Sequence, residues 1–127
     1  MINNNIVSFV ADGAITEYAL VSRTTAGKVS VTTASNDSKC IGIAQRACAD
    51  GESVEVIISG LSRVIVGTAG LTSSDSLVMA TTAGTVVAHA DSTSYSIGQI
   101  IPNINQFSAT ANDQILIKFT GPQNLLP

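Results

Sequence analysis

The sequence predicts an all-β fold: a compact β-sandwich or small β-barrel built from two tandem similar halves, with at most one short helical turn. Three observations lead there. The apolar residues are mostly Ile, Val, Ala and Leu, Trp is absent, and Ser, Thr, Asn and Gly fill much of the rest. That mixture of β-branched and small polar residues favours strands and turns. Short apolar runs alternate with polar residues between Gly-, Asp- and Ser-rich breaks, and no segment keeps a helical period for three turns. Finally, the chain matches itself. Leu20-Val21-Ser22-Arg23-Thr24-Thr25-Ala26-Gly27-Lys28-Val29 and Leu77-Val78-Met79-Ala80-Thr81-Thr82-Ala83-Gly84-Thr85-Val86 are identical at seven of ten positions. Two copies are too few for a repeat array, so the match reads as an internal duplication.

The elements follow in order. Residues 1–5 are polar and read as a loose arm. Ile6-Val7-Ser8-Phe9-Val10 reads as a first strand and Ala19-Leu20-Val21-Ser22 as a second. Residues 28–32 restart the alternation through Val29 and Val31. The organising stretch is 40–60, CIGIAQRACADGESVEVIISG, read as two strands joined at Asp50-Gly51. Asp-Gly is a strong signal for a type I′ hairpin turn, which needs φ > 0 at both central residues. Gly60 reads as a bend, since Gly within a strand pattern often marks one. Strands are expected at 61–66, 76–80, 86–88, 96–101 and 115–119. Thr72-Ser73-Ser74-Asp75 is where a short helical turn is expected. A longer loop at 102–112 stands in place of the second Asp-Gly turn. The whole is one domain, 1–127, with halves at about 4–60 and 61–121, an arm at 1–5 and a tail at 122–127.

Charge excludes several functions. Charged residues make up 12% of the chain, about half the usual share. Such a surface is Ser/Thr-rich, covered by partners, or both. The net charge of −3 and six scattered basic residues argue against a grip on nucleic acid. No stretch approaches the ~20 apolar residues of a membrane span, and Met1-Ile2-Asn3-Asn4-Asn5 has no signal-peptide character. The expected place of synthesis is a cytosol.

Catalytic and metal chemistry find no constellation, so no enzyme, cofactor or metal is expected. His89 stands alone, and Cys40 and Cys48 with one remote His do not make a zinc pattern. The two cysteines read as small buried hydrophobes. Asp50-Gly51-Glu52 lacks the alternating oxygen donors of a calcium loop and reads as turn chemistry. Gly67-Thr68-Ala69-Gly70 lacks the Lys-Ser/Thr ending of a phosphate loop.

One family resemblance emerges from the glycine and valine positions. Ile41-Gly42-Ile43-Ala44, then Ala49-Asp50-Gly51-Glu52-Ser53-Val54-Glu55-Val56, then Gly60 resemble the signature of tailed-bacteriophage capsid decoration proteins, also called cement or head-stabilising proteins. Ala69-Gly70, Asp75-Ser76-Leu77-Val78, Ala83-Gly84-Thr85-Val86, Ile97-Gly98 and the strand at 115–119 extend the likeness over roughly 13–121. The resemblance implies a structural virion protein on the outer capsid surface, made in the host cytoplasm. It would clamp adjacent major capsid protein subunits, commonly as a homotrimer at local three-fold positions, with no nucleic-acid or membrane partner. The expected contact residues are Ile2, Asn3, Asn4, Asn5, Ile6 and Phe9 in the N-terminal arm, which could add a strand to a coat-protein sheet, and Leu125 and Leu126 in the tail. The competing expectation is a receptor- or carbohydrate-binding β module of a tail fibre or surface layer. The lack of Trp and the presence of only two Tyr weigh against sugar stacking.

Overall fold

One long strand, Ser53–Ile65, runs through the centre of the molecule. We describe it from a computed structural model, which covers residues 5–32, 39–72, 75–81, 83–89, 95–101 and 109–123. Nine strands form one sheet, and no helix occurs among the described residues. They are β1 (Asn5–Val10), β2 (Leu20–Arg23), β3 (Val29–Val31), β4 (Cys40–Ala44), β5 (Ser53–Ile65), β6 (Leu77–Ala80), β7 (Val86–Ala88), β8 (Ser96–Ile100) and β9 (Gln114–Gln123). The hydrogen-bonded order is β3-β2-β4-β5-β9-β8-β6-β7, with β1 on β5 beside that path. Every strand pair is antiparallel. The all-β class expected from composition and alternation is the observed one.

The two ends of the order resemble one another. β2 lies between β3 and β4, as β6 lies between β7 and β8. Ala11 meets Val29 and Val66 meets Val86 through parallel bridges; Ile15 meets Cys48 and Leu71 meets Ala109 through antiparallel ones. The sheet curls until these ends touch. The Leu20 N–H donates to the Gly84 carbonyl at 2.8 Å, and Thr32 Oγ1 donates to the Thr81 carbonyl at 2.9 Å. The turn after β6 is thereby fastened to β2 and to the residue following β3, which closes a barrel-like body.

Alternation along the strands builds two cores. One gathers Leu20, Ile43, Val64, Val78, Val86, Ile97, Ile117 and Phe119, so it draws on both halves of the chain. The other is made by Ala11, Ile15, Val21, Val29, Ala44, Val54 and Val56. β2 shows the logic: Leu20 faces the first core and its neighbour Val21 the second, because successive strand residues point to opposite faces. Burying apolar side chains on both faces is the main stabilising term.

Gly60, with φ of 111°, is the joint expected of it: the chain continues as a strand beyond it, and β5 there exchanges its neighbours. Three details differ from the sequence expectation, each for a local reason. Asp50-Gly51 does not join β4 to β5 as a type I′ turn. Gly51 has φ of 85° but Asp50 is not in the positive-φ region. The flanks of that turn are claimed by the first strands instead: Cys48 pairs with Ile15, and the Gly51 N–H donates to Ala11. Cys48 therefore lies beyond β4 rather than on one strand with Cys40. In the second half a turn of the same kind sits at Thr110-Ala111-Asn112-Asp113, with Asn112 at φ of 72°. The added residues of that half thus fall before the turn, not in it. Lastly, β9 runs on through Gly121 and Pro122 to Gln123, which pairs with Ser96. Pro122 and Gln123, expected in a tail, thus belong to β9, and the rest of that tail, residues 124–127, lies outside the described residues.

Gly27 and Gly84 occupy matching turns with φ of 78° and 76°. A Cβ on Gly27 would meet nothing within 4 Å, whereas one on Gly84 would lie 2.7 Å from Val31 Cγ1 and 3.3 Å from the Leu20 carbonyl oxygen. Gly27→Ala should therefore cost only the left-handed backbone strain, about 1 kcal/mol. Gly84→Ala should cost a further ~1–3 kcal/mol from overpacking at the closure. Urea unfolding of both variants measures the difference.

Candidate functional site

The outer edge of the sheet at β1 is the part of the surface whose chemistry is least finished. β1 pairs with β5 from Asn5↔Ser59 to Val10↔Ser53, with a bulge between Asn5 and Ile6. The Asn5 side-chain amide donates to Ser59 Oγ at 2.8 Å and marks the start of the ladder. Val56 and Ile57 of β5 are already paired with Ala44 and Ile43 of β4. β1 thus takes the opposite edge of β5; its own outer edge has no strand partner among the described residues until its end, where Ala11 bridges Val29 and the Asp12 N–H donates to the Val29 carbonyl, so that β3 meets it there.

Cross-strand partners share a face, so the register assigns the side chains. Val7 and Phe9 stand opposite Val56 and Val54, on the side of the second core; Phe9 is half-buried against it. Ile6, Ser8 and Val10 stand opposite Ile57, Glu55 and Ser53 on the other face. One row, Leu20–Ile43–Ile57–Ile6, crosses β2, β4, β5 and β1. Its exposure runs 0%, 0%, 4% and then 57%. Ile6 is the end of a core row left in solvent. Val7 and Val10 are each 40% exposed. A strand with apolar side chains on both faces is the composition of a covered strand, yet this one lies at an edge.

Of the expected contact residues, Asn5, Ile6 and Phe9 fall together on β1. Ile2, Asn3, Asn4, Leu125 and Leu126 lie outside the described residues. The arm expected to reach away is bound along 5–10 to its own β5. Val7 and Val10 were not singled out, although Ile6-Val7-Ser8-Phe9-Val10 breaks the polar alternation of a strand with one wet face, which was the available signal.

The titratable groups near this edge serve structure. Arg46 Nε donates to Glu55 Oε1 at 2.8 Å across two half-exposed side chains, and Arg46 also reaches the Ser53 carbonyl. This hydrogen bond holds the Glu55 carboxyl below the usual carboxylate range, and raises the guanidinium further. Four further acids hold turns or loops. Asp50 accepts from the Gly13 N–H at 2.9 Å. Glu52, Asp75 and Asp113 each accept from the backbone N–H three residues earlier, at Ala49, Thr72 and Thr110, and each returns its own N–H to that residue's carbonyl. The short helical turn expected at Thr72-Ser73-Ser74-Asp75 has Ser73 and Ser74 outside the described residues; Thr72 and Asp75 make this reciprocal pair of hydrogen bonds.

Elsewhere the surface offers little chemistry. An open depression of about 340 Å³ is lined by Thr68, Gly70, Leu71, Thr110, Ala111 and neighbours, none of them titratable. His89 is buried, with its backbone N–H on the Leu77 carbonyl. Cys40 and Cys48 are buried and form no disulfide. Among the described residues no three of His, Cys, Asp and Glu come together as metal ligands.

With that geometry in view, comparison with known proteins gives one kind of likeness. No family model and no curated protein matches the chain. Among solved structures, the chain is similar in fold to the N base of the head fiber protein gp8.5 of bacteriophage phi29, with a TM-score of 0.69 and 16% identity. The likeness covers 93% of this chain and 95% of that one.

Two measurements check the reading of this edge. Ile6→Ser and Val7→Thr should each change unfolding free energy by no more than about 0.5 kcal/mol, as for surface positions, whereas Phe119→Ala in the core should cost ~3–5 kcal/mol. Glu55 is depressed in the folded state, so its pairing stabilises above the unfolded carboxylate pKa, about 4.3, and that contribution is lost as pH falls through the lower folded value. The pair is exposed and its effect is small. The melting difference between the wild type and Glu55→Gln should be detectable near neutral pH and should vanish in acid below that window.

Proposed function

We propose that this chain is a structural protein of a tailed-phage virion that binds the outer capsid surface and holds adjacent major capsid protein subunits together, stabilising the DNA-filled head. The observation that carries the proposal is the near full-length fold likeness to the base of a phage head fiber. Three features of the molecule support it. Its body is fastened by ladders, reciprocal turns and a closure contact, as suits a part that bears load. Its charge is sparse. Its exposed apolar groups are concentrated on an open strand edge.

The mechanism is mass action. A protein that binds the assembled shell and not the separated subunits shifts the equilibrium toward the shell, by about 2.7 kcal/mol per site at a free concentration of 100 Kd. Many sites multiply a modest contact. In this reading the partner is the major capsid protein, and the bound unit is a homotrimer at local three-fold positions. The work is apolar burial and strand pairing, with no catalysis, cofactor or nucleic acid involved.

The test is co-sedimentation with heads, with and without DNA, followed by shell melting and imaging. The protein should bind expanded, filled heads, raise their melting temperature and add density outside the shell. Val7→Asp should weaken binding at least ~10-fold, because a buried unpaired carboxylate is costly. Failure to bind any head, together with binding to glycans by the isolated protein, would overturn the proposal in favour of a carbohydrate-binding module.

A further inference from the structure

We infer that the outer face of the sheet in the second half, centred on Arg63 and Lys118, is a docking surface for a protein segment that carries carboxylates among aliphatic side chains. The inference concerns the isolated chain and does not depend on the capsid reading.

The internal duplication supplies the first reason. The first-half row Leu20–Ile43–Ile57–Ile6 has a counterpart, Leu77–Gln99–Lys118–Leu61, across β6, β8, β9 and the far part of β5. Ile6 and Leu61 correspond because each lies the same distance before a parallel bridge, Ala11 to Val29 and Val66 to Val86. The two rows meet different fates. Leu20 and Ile43 pack into one cluster with Val64, Ile117 and Phe119, so the second half covers them. Gln99 and Lys118 are exposed. Polar residues suit an end face that no further half covers, but they do not account for what surrounds them.

The surroundings are aliphatic. Ile101 and Leu116, the exposed large apolar side chains that lie away from β1 among the described residues, are both here. The Ile101 N–H donates to the Leu116 carbonyl at 3.0 Å, and Leu116 stands opposite Arg63. Half-buried Leu61 and Ile65 lie on either side of Arg63 on the same face, since alternate strand residues share a face. Such a frame around charged groups is the make-up of an interface rather than of a solvated face.

The third reason is charge. Lys118 is the diagonal neighbour of Arg63 across the β5–β9 ladder, about 7–8 Å away in sheet geometry. Both are exposed, and neither has an ion-pair partner among the described residues. The strands of this face, 61–65, 77–80, 96–101 and 114–120, contain no Asp or Glu. Asp113, at the head of β9, is held by the Thr110 N–H and Oγ1. The matching first-half positions are Ser8 and Ile57, so both cations belong to the second half alone, in a chain of net charge −3. A carboxylate set between them relieves their repulsion, and its aliphatic neighbours find apolar contact. A nucleic-acid backbone would use the cations and leave the frame unused. Exposed ion pairs are individually weak, so the charges set orientation and encounter rate more than affinity.

NMR of the isolated protein tests this, with a short synthetic peptide of alternating Glu and Val as the probe. At low salt its amide shifts should gather at 61–65, 99–101 and 116–118. They should fade in 1 M salt, where the Debye length contracts to about 3 Å. Arg63→Gln/Lys118→Gln should weaken the apparent affinity about 10-fold with the melting temperature unchanged. Absence of shifts from the Glu-Val peptide would overturn the inference. So would equal shifts in the double variant or from an alternating Lys-Val peptide. A single-stranded oligodeoxynucleotide that shifts the same amides at lower concentration than the peptide would also overturn it, in favour of a phosphate ligand.

Discussion

β5 has backbone partners on both edges, and that double commitment is the constraint from which the rest follows. Val56 and Ile57 are paired at once with β4 and β1, and beyond Gly60 the same strand pairs with β9. Val54 and Val56 enter one core and Val64 the other. A slip by one residue would turn all three to the wrong face, so the register of β5 holds both cores in place together. The ends of the sheet are left to find each other, which they do where Gly84 meets Leu20.

Much of this was legible because periodicity and small residues report local geometry. The alternation of Val54, Val56 and Val64 announced strands, and the Leu20 and Leu77 segments announced matching ones. Less legible was everything decided by a distant competitor. Asp50-Gly51 carries a hairpin signal, but Ile15 and Ala11 claim its flanks, and no short-range rule reveals that. Asn112 does in the second half what Gly51 does in the first; Asn tolerates the left-handed region, so the equivalence was hidden behind a change of residue. At the edge, Ile6 and Phe9 could be chosen from the sequence as apolar residues near a terminus. Whether they were loose or bound depended on which edge of β5 was vacant, a property of the whole sheet.

The described carboxylates are largely engaged in the fold, and exposed apolar groups gather at β1. Carboxylates at Asp50, Glu52, Asp75 and Asp113 are engaged in holding turns, and Glu55 is engaged with Arg46. What remains available at the edge is backbone and hydrocarbon. A strand whose ladder is satisfied on one side and open on the other binds by extension of the sheet.

Hydrogen exchange at β1 tests the central claim most directly, because the claim concerns backbone that is open in the isolated chain and covered in the assembly. Amides of Asn5–Val10 that face away from β5 should exchange within seconds in dilute protein, while those of β5 stay protected. On filled heads the β1 amides should slow by at least ~100-fold, with the turns at Gly51 and Asn112 unchanged. Protection that appears only at the turns or across the far sheet, with β1 exchanging as fast as before, would contradict the account.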